Sequence, residues 1–279
     1  MIEVGQYYDL LVAKKTNYGF YLDAGNLGEV FLPKRHTSQN LDINDNIRVF
    51  LYLDSDDRPI ATTEQPKVCV NQFAYLKVVD TSSAGAFLDW GLDKDVLVPF
   101  SKQHRRMEIG KSYLVYLYLD EYDGRITASS KIDKLFDEKK PSSFQQNQEV
   151  DLIIGNSTDL GFKAIINHSH WGLLYKNEVH VRLSFGQSIK GYIKYVRPDG
   201  RIDLSLKDAN QTVNTRSMII INYLKEQGGF AAVHDKSEPQ VISKLFGMSK
   251  KAFKNTIGTL YKQRRIVIER KGIRLVEDT

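Results

Sequence analysis

The chain repeats itself, and no other feature constrains its fold as tightly. Shifted by 66 residues, its first part falls on its second without a gap. Tyr18-Gly19-Phe20-Tyr21-Leu22-Asp23 lands on Ala84-Gly85-Ala86-Phe87-Leu88-Asp89, and Glu29-Val30-Phe31-Leu32-Pro33 lands on Asp95-Val96-Leu97-Val98-Pro99. Val49 to Asp54 lands in the same way on Val115 to Asp120. A third, more divergent copy follows. In it Gly161-Phe162 answers Gly85-Ala86, and Pro198-Asp199-Gly200-Arg201-Ile202 answers Tyr122-Asp123-Gly124-Arg125-Ile126. Lys139-Lys140-Pro141-Ser142-Ser143 has the composition of a linker between the second and third copies.

One unit reads as five short strands. In the second copy, Phe73–Val79 alternates apolar and polar residues, and Gly85–Trp90 and Asp95–Pro99 are short β-prone runs. Ser112–Asp120 is a longer one, meeting Arg125–Ala128 across Asp123-Gly124, a dipeptide suited to a type I′ hairpin turn. Five strands in so few residues, with almost no helical period, predict a small closed Greek-key barrel. Gly19, Gly85 and Gly161 open the second strand of each unit, where barrel closure needs a sharp coil.

From Thr215 the period becomes helical. Met218, Ile219, Ile221, Asn222 and Leu224 form a pattern that stops at Gly228-Gly229. Ser237 reads as the cap of a second helix, with Pro239 in its first turn and Val241, Ile242, Leu245 and Phe246 as its apolar positions. Ser249 caps a third helix, striped by Phe253, Ile257, Leu260 and Tyr261. Two β-prone runs, Ile266–Ile268 and Ile273–Val276, close the series. Three helices and a two-stranded wing are the order of a winged helix. The fold class expected is therefore mainly β with a C-terminal α+β domain. Three tandem five-stranded barrels at 1–65, 66–138 and 144–210 precede a winged helix at 214–279.

Charge follows this division. Residues 1–65 carry six Lys/Arg against ten Asp/Glu, whereas 214–279 carry thirteen against six. A basic terminal domain on a near-neutral body points to a polyanion, most often nucleic acid. On the third helix Lys250, Lys251, Lys254, Asn255 and Lys262, with Arg264 and Arg265 just after it, are the contact candidates.

The repeat also resembles a known domain. Tyr18-Gly19-Phe20-Tyr21-Leu22-Asp23, then Gly28-Glu29-Val30-Phe31-Leu32-Pro33, and a closing Arg201-Ile202-Asp203-Leu204-Ser205-Leu206-Lys207 are similar to the ribosomal S1-type RNA-binding domain. That domain's usual pattern is Phe-Gly-Ala-Phe-Val-Asp followed by Gly-Leu-Val-His-Ile-Ser. The resemblance implies OB-fold barrels that bind single strands by stacking bases on aromatic rings, with basic residues along the backbone. It implies Tyr18, Tyr21 and Phe31 as contacts in the first copy, with Lys14, Lys15, Lys34, Arg35 and His36 around them. The second copy keeps only Phe87, beside Ala84 and Leu97. The third offers Leu160, Lys163 and Tyr175. Tyr113, Tyr116 and Tyr118 are better placed as barrel wall and neighbour packing. Three such barrels before a winged helix resemble the bacterial virulence factor B family, which implies an RNA-binding regulator of gene expression without a cofactor.

The residues argue against an enzyme. There is no phosphate-binding Gly-rich loop, no Gly-x-Ser-x-Gly elbow and no Cys/His nucleophile pair. His168 and His170 are the only close histidines and lack carboxylates at metal-site spacing, so no metal is expected. Asp54, Asp56 and Asp57, like Asp120, Glu121 and Asp123, fall at hairpin turns, where Asp serves the backbone. A single cysteine, Cys69, reads as a small buried apolar residue and suits a reducing compartment. With no long apolar run and no basic leader at Met1–Gly5, a cytoplasmic location and no membrane partner are expected. The leading partner is RNA, single-stranded or structured. Duplex DNA read by the winged helix, and docking on the ribosome or transcription machinery, are the alternatives.

Overall fold

A computed structural model of the chain describes residues 1–37, 40–132, 135 and 142–276. The Lys139–Pro141 part of the expected linker lies outside them. Three five-stranded barrels are present, and each closes on itself. The first is built from β1 (Gln6–Lys15), β2 (Gly19–Asp23), β3 (Glu29–Pro33), β4 (Asn46–Leu53) and β5 (Pro59–Thr62), in the order β1-β2-β3-β5-β4. The second runs through β6 (Phe73–Thr81), β7 (Gly85–Asp89), β8 (Val96–Pro99), β9 (Ser112–Leu119) and β10 (Ile126–Ser129) in the same cyclic order. The third uses β11 (Glu149–Ser157), β12 (Gly161–Ile166), β13 (His170–Tyr175), β14 (Ser188–Val196) and β15 (Ile202–Ser205).

Closure follows from two devices that all three barrels share. The first strand carries an irregularity at the same place, between Val12 and Lys14, Val78 and Asp80, and Ile154 and Ser157. A bulge there raises the local twist, so one strand can pair on both of its edges. Gly19, Gly85 and Gly161 sit at φ +154, +158 and +156, and a Cβ on them would lie 2.2, 2.2 and 2.0 Å from the carbonyl oxygens of Leu32, Val98 and Leu174. Any other residue would push the neighbouring strand away. The interior is apolar: Val12, Leu22, Leu32, Val49, Leu51 and Ala61 of the first barrel are fully buried. Each such aliphatic side chain larger than alanine contributes about 1.5–3 kcal/mol.

The closing hairpins differ from the expectation. The N–H of Asp54 bonds the carbonyl of Arg58, but that of Asp120 bonds the carbonyl of Arg125, so the second hairpin is one residue longer. The gapless shift therefore ends at β4. Asp123-Gly124 does not make a type I′ turn: Gly124 has positive φ but Asp123 does not. In the first barrel Asp57, at φ +59, takes the left-handed position.

The second barrel packs against both neighbours. Phe50 meets Trp90 edge-on at 5.7 Å, within a core cluster that also holds Tyr52 and Val68. On the other side Phe73, Leu114 and Ile132 pack on Ile153 and Ile165. The expected tyrosines serve here: Tyr113 is buried, and Tyr116 lies 4.8 Å from Phe73. Cys69 is half-buried, and burial pushes its thiol pKa up.

Residues 209–276 form the winged helix. Its elements are α1 (Ala209–Glu226), β16 (Phe230–Ala231), α2 (Pro239–Phe246), α3 (Lys250–Lys262), β17 (Ile266–Glu269) and β18 (Gly272–Leu275). α1 starts six residues before the helical period becomes visible. Glu238, not Ser237, stands at the N-cap of α2, and the Ser237 hydroxyl instead accepts the N–H of His234. Ser249 caps α3 as expected, accepting from Ala252 at 3.3 Å. The core uses Ile220, Ile221, Leu224, Ile242, Phe246, Phe253, Ile257 and Leu260. Met218, Ile219, Val241, Leu245 and Tyr261, read as apolar-face residues, are exposed instead. Among the described residues no helix is long and apolar enough to cross a membrane.

Candidate nucleic-acid interface

In each barrel the second and third strands turn alternate side chains outward, and the register decides which residues share that face. Tyr21 pairs with Phe31, Phe87 with Leu97, and Lys163 with Leu173. In the first barrel the Tyr21 and Phe31 rings are half-buried and lie 5.1 Å apart, and Tyr18 is 82% exposed beside them. None of the three is in the core. Lys14 pairs with Glu29 at 2.8 Å and Lys15 with Asp42 at 2.7 Å, both on the surface, where an ion pair is worth about 0–1 kcal/mol and is easily exchanged. Lys34 is exposed.

Two of the expected basic contacts are placed otherwise. His36 is buried: Nδ1 lies 3.2 Å from the Thr62 hydroxyl, and Nε2 accepts from the Arg35 guanidinium at 2.9 Å. The short helical turn after Pro33 aims it inward, so it is a packing residue and not a phosphate contact. Arg35 reaches Asp93 of the second barrel at 3.0 Å.

The second barrel's face is walled by the first. Phe87 and Leu97 line a cleft of about 350 Å³ together with Ser55 and Asp57 from the β4–β5 hairpin. Asp57 binds Lys94 at 2.6 Å and Arg125 at 2.5 Å, and Lys94 also donates to the Asp54 carbonyl. The hydrogen bond from Lys94 holds the Asp57 carboxyl below the usual carboxylate range. Both cations of this face are thus engaged by a carboxylate of the same chain. The acidic turn has the role expected of turn aspartates, since Asp54 accepts the N–H groups of Asp56 and Arg58.

In the third barrel the outer face is a cleft of about 440 Å³ lined by Leu160, Lys163, Trp171, Leu173, Tyr175 and Arg201, among others. Tyr175 does not occupy the position of Phe31. It pairs with Gly161 and so stands where Pro33 and Pro99 stand, and Leu173 is the true counterpart. The Tyr175 hydroxyl bonds Asp203 and Arg197, which themselves pair at 3.0 Å. Sequence reading missed Trp171. Its indole lies 5.5 Å from the Lys163 ammonium, within cation–π range. The signal was the period of two along β13, which puts Trp171, Leu173 and Tyr175 on one face.

In the winged helix, α3 buries Phe253, Thr256, Ile257 and Leu260. Lys251, Lys254, Asn255 and Lys262 are exposed on its other side, with Tyr261 among them, an aromatic that the apolar stripe had claimed. Arg264, at φ +58, and Arg265 are exposed just beyond, whereas Lys250 is half-buried and points at the Lys236 carbonyl. Gly258 lies between them, and a Cβ there would meet nothing within 4 Å.

His168 is engaged in packing. Its Nδ1 accepts the Phe73 N–H at 3.0 Å, and burial lowers its pKa, against a smaller raising effect of Asp151. Among the described residues no three His, Cys, Asp or Glu side chains are grouped to hold a metal.

The model of the S1 domain matches residues 4–64 and 72–131, the first two barrels, and the CvfB-like winged helix domain matches 218–275. The chain carries two S1 domains and a CvfB-like winged helix. Among relatives, YitL of Bacillus subtilis is 26% identical over 95% of this chain and 91% of its own length. Conserved virulence factor B of Staphylococcus aureus is 28% identical over 85% of this chain and 81% of its own. The family resemblance read from domain order therefore holds. A Streptococcus pneumoniae crystal structure, described as a multidomain protein with nucleic acid binding domains, is 23% identical and covers 98% of both chains at a TM-score of 0.42.

Proposed function

We propose that the chain binds single-stranded RNA through its barrels and its winged helix, as a regulator of gene expression acting after transcription, with no cofactor and no catalytic step. The observation that carries this reading is the Tyr21–Phe31 ring pair, which lies outside the core with exposed Tyr18 beside it. Aromatic rings spared from a barrel core form a platform on which bases stack, worth about 1–3 kcal/mol per base. The exposed basic side of α3 supports backbone contact by the winged helix. Gly258 supports it too: a helical glycine costs about 1 kcal/mol relative to alanine, and no packing among the described residues calls for it. Several weak modules on one chain raise each other's effective concentration.

The same α3 face favours one other reading, a winged helix that reads duplex DNA. Titration of the intact chain with single-stranded RNA and with a duplex DNA of matched sequence, across salt concentrations, separates the two. The RNA reading expects tighter binding to RNA with a steep salt slope. Preference for the duplex would replace it with the second reading, and binding of neither would leave the barrels as protein-docking modules.

A further inference from the structure

A cleft of about 410 Å³ lies between the second and third barrels. Arg105, Tyr113 and Tyr75 line it from one barrel, and Asn156, Trp171 and Phe185 from the other. Its walls are fixed in place. Phe185 meets Tyr75 edge-on at 5.6 Å, and Gly186 is packed so closely under that tyrosine that a Cβ would overlap the ring. Trp171 rests against Gly155, where a Cβ would come within 3.2 Å of the indole. The apolar contacts behind it, from Phe73 to Ile165, hold the two barrels together.

Three features suit this cleft to a nucleotide. It is lined by aromatic rings that are not all needed by the core, which gives faces for a base. One wall is basic: His104 and Arg105 line it, and the next acid along the chain, Glu108, is paired with Lys111 at 2.8 Å. Arg105 is exposed over the Tyr113 ring and has no carboxylate partner among the described residues, unlike Lys94 and Arg125 of the same barrel. Finally, Trp171 lines both this cleft and the outer face of the third barrel, so one side chain borders both.

We propose that this junction is a second nucleotide subsite, taking a unit of a single-stranded RNA that runs from the third barrel's outer face past Trp171 and on to Arg105. The inference rests on the RNA reading above. It gives the second barrel a contact with RNA that does not use its own Phe87 face, whose cations Asp57 already engages.

The test uses the intact chain with oligouridylates of about 4 and about 16 nucleotides, the ends of the range for one OB barrel. Arg105→Glu, at an exposed residue with no ion pair among the described residues, should weaken the longer oligomer several-fold and the shorter one far less. Arg105→Ala should lower the salt slope for the longer one by about 0.7, the value for one phosphate on a single strand. Crosslinks from 4-thiouridine in the longer oligomer should fall on Tyr75 or Trp171. If the wild-type chain binds the longer oligomer and Arg105→Glu matches it in affinity and salt slope, the subsite is wrong while the RNA reading stands. If free uridine monophosphate protects the cleft from those crosslinks as well as the oligomer does, it is a mononucleotide pocket and the strand path is wrong. If the intact chain binds no RNA, both readings fall together.

Discussion

The first and second barrels share a fold almost residue for residue, yet their outer faces have opposite fates. The first presents Tyr18, Tyr21 and Phe31 and keeps Lys34 exposed. The second keeps one ring, Phe87, in a cleft that the first barrel's hairpin walls, and its cations are bound by Asp57. It is also held from the other side, where His168 accepts its Phe73 N–H. A repeat thus specifies a scaffold, and position along the chain decides which copies keep a surface for a ligand and which become the joint between their neighbours.

The largest effect expected is one that the two barrels share. Gly19→Ala and Gly85→Ala place a Cβ against a carbonyl 2.2 Å away at a φ that L side chains avoid, so each should cost at least about 3 kcal/mol in urea unfolding. Similar losses confirm one closure device, and a mild loss at either site breaks the equivalence. The next effect separates the barrels. Tyr21→Ala or Phe31→Ala should weaken RNA binding by about 1–3 kcal/mol, and Phe87→Ala by clearly less, as read by fluorescence anisotropy. Equal losses would mean that the hairpin does not shield the second face.

Two smaller effects probe how the second barrel is held. His168→Ala removes the acceptor of a buried N–H and should cost about 1–3 kcal/mol at neutral pH. Because the folded pKa of His168 lies below its unfolded value, the unfolded chain takes up the proton first. The wild type should therefore lose stability as pH falls below about 6.5, and the variant should lose less over that window. Melting temperatures that fall in parallel would contradict this. The smallest effect is that of Asp57→Asn, which releases Lys94 and Arg125 and should raise RNA affinity slightly while loosening the contact between barrels. Its carboxyl pKa is lowered, so the ion-pair stability is present above the unfolded carboxylate range and is lost as pH falls through the lower folded value. The difference between wild type and variant should accordingly vanish in acid. A difference that persists there would assign it to packing.

The sequence by itself determined the architecture. Strand alternation, the glycine at each second strand and the Ser249 cap of α3 act over a few residues, so their pattern survives in the linear order. The repeat then made three barrels of one inference, and the helical period marked where the barrels end. Tertiary structure decided the surfaces. Nothing within a few residues of His36 says that it turns inward onto Thr62, or that Arg35 is aimed at Asp93, because those partners lie 26 and 58 residues away. The loose alignment of the third copy put Tyr175 at the ring position, and only the pairing of Lys163 with Leu173 moved it and brought Trp171 into view. The helix stripes misplaced Met218, Ile219 and Tyr261 because an apolar residue is buried only if a neighbour covers it, and that neighbour comes from distant chain. Local rules fix which elements form. Which of their faces stay open depends on contacts between segments far apart in the chain, and those are what put the first barrel's hairpin beside Phe87, where its Asp57 binds the neighbouring cations.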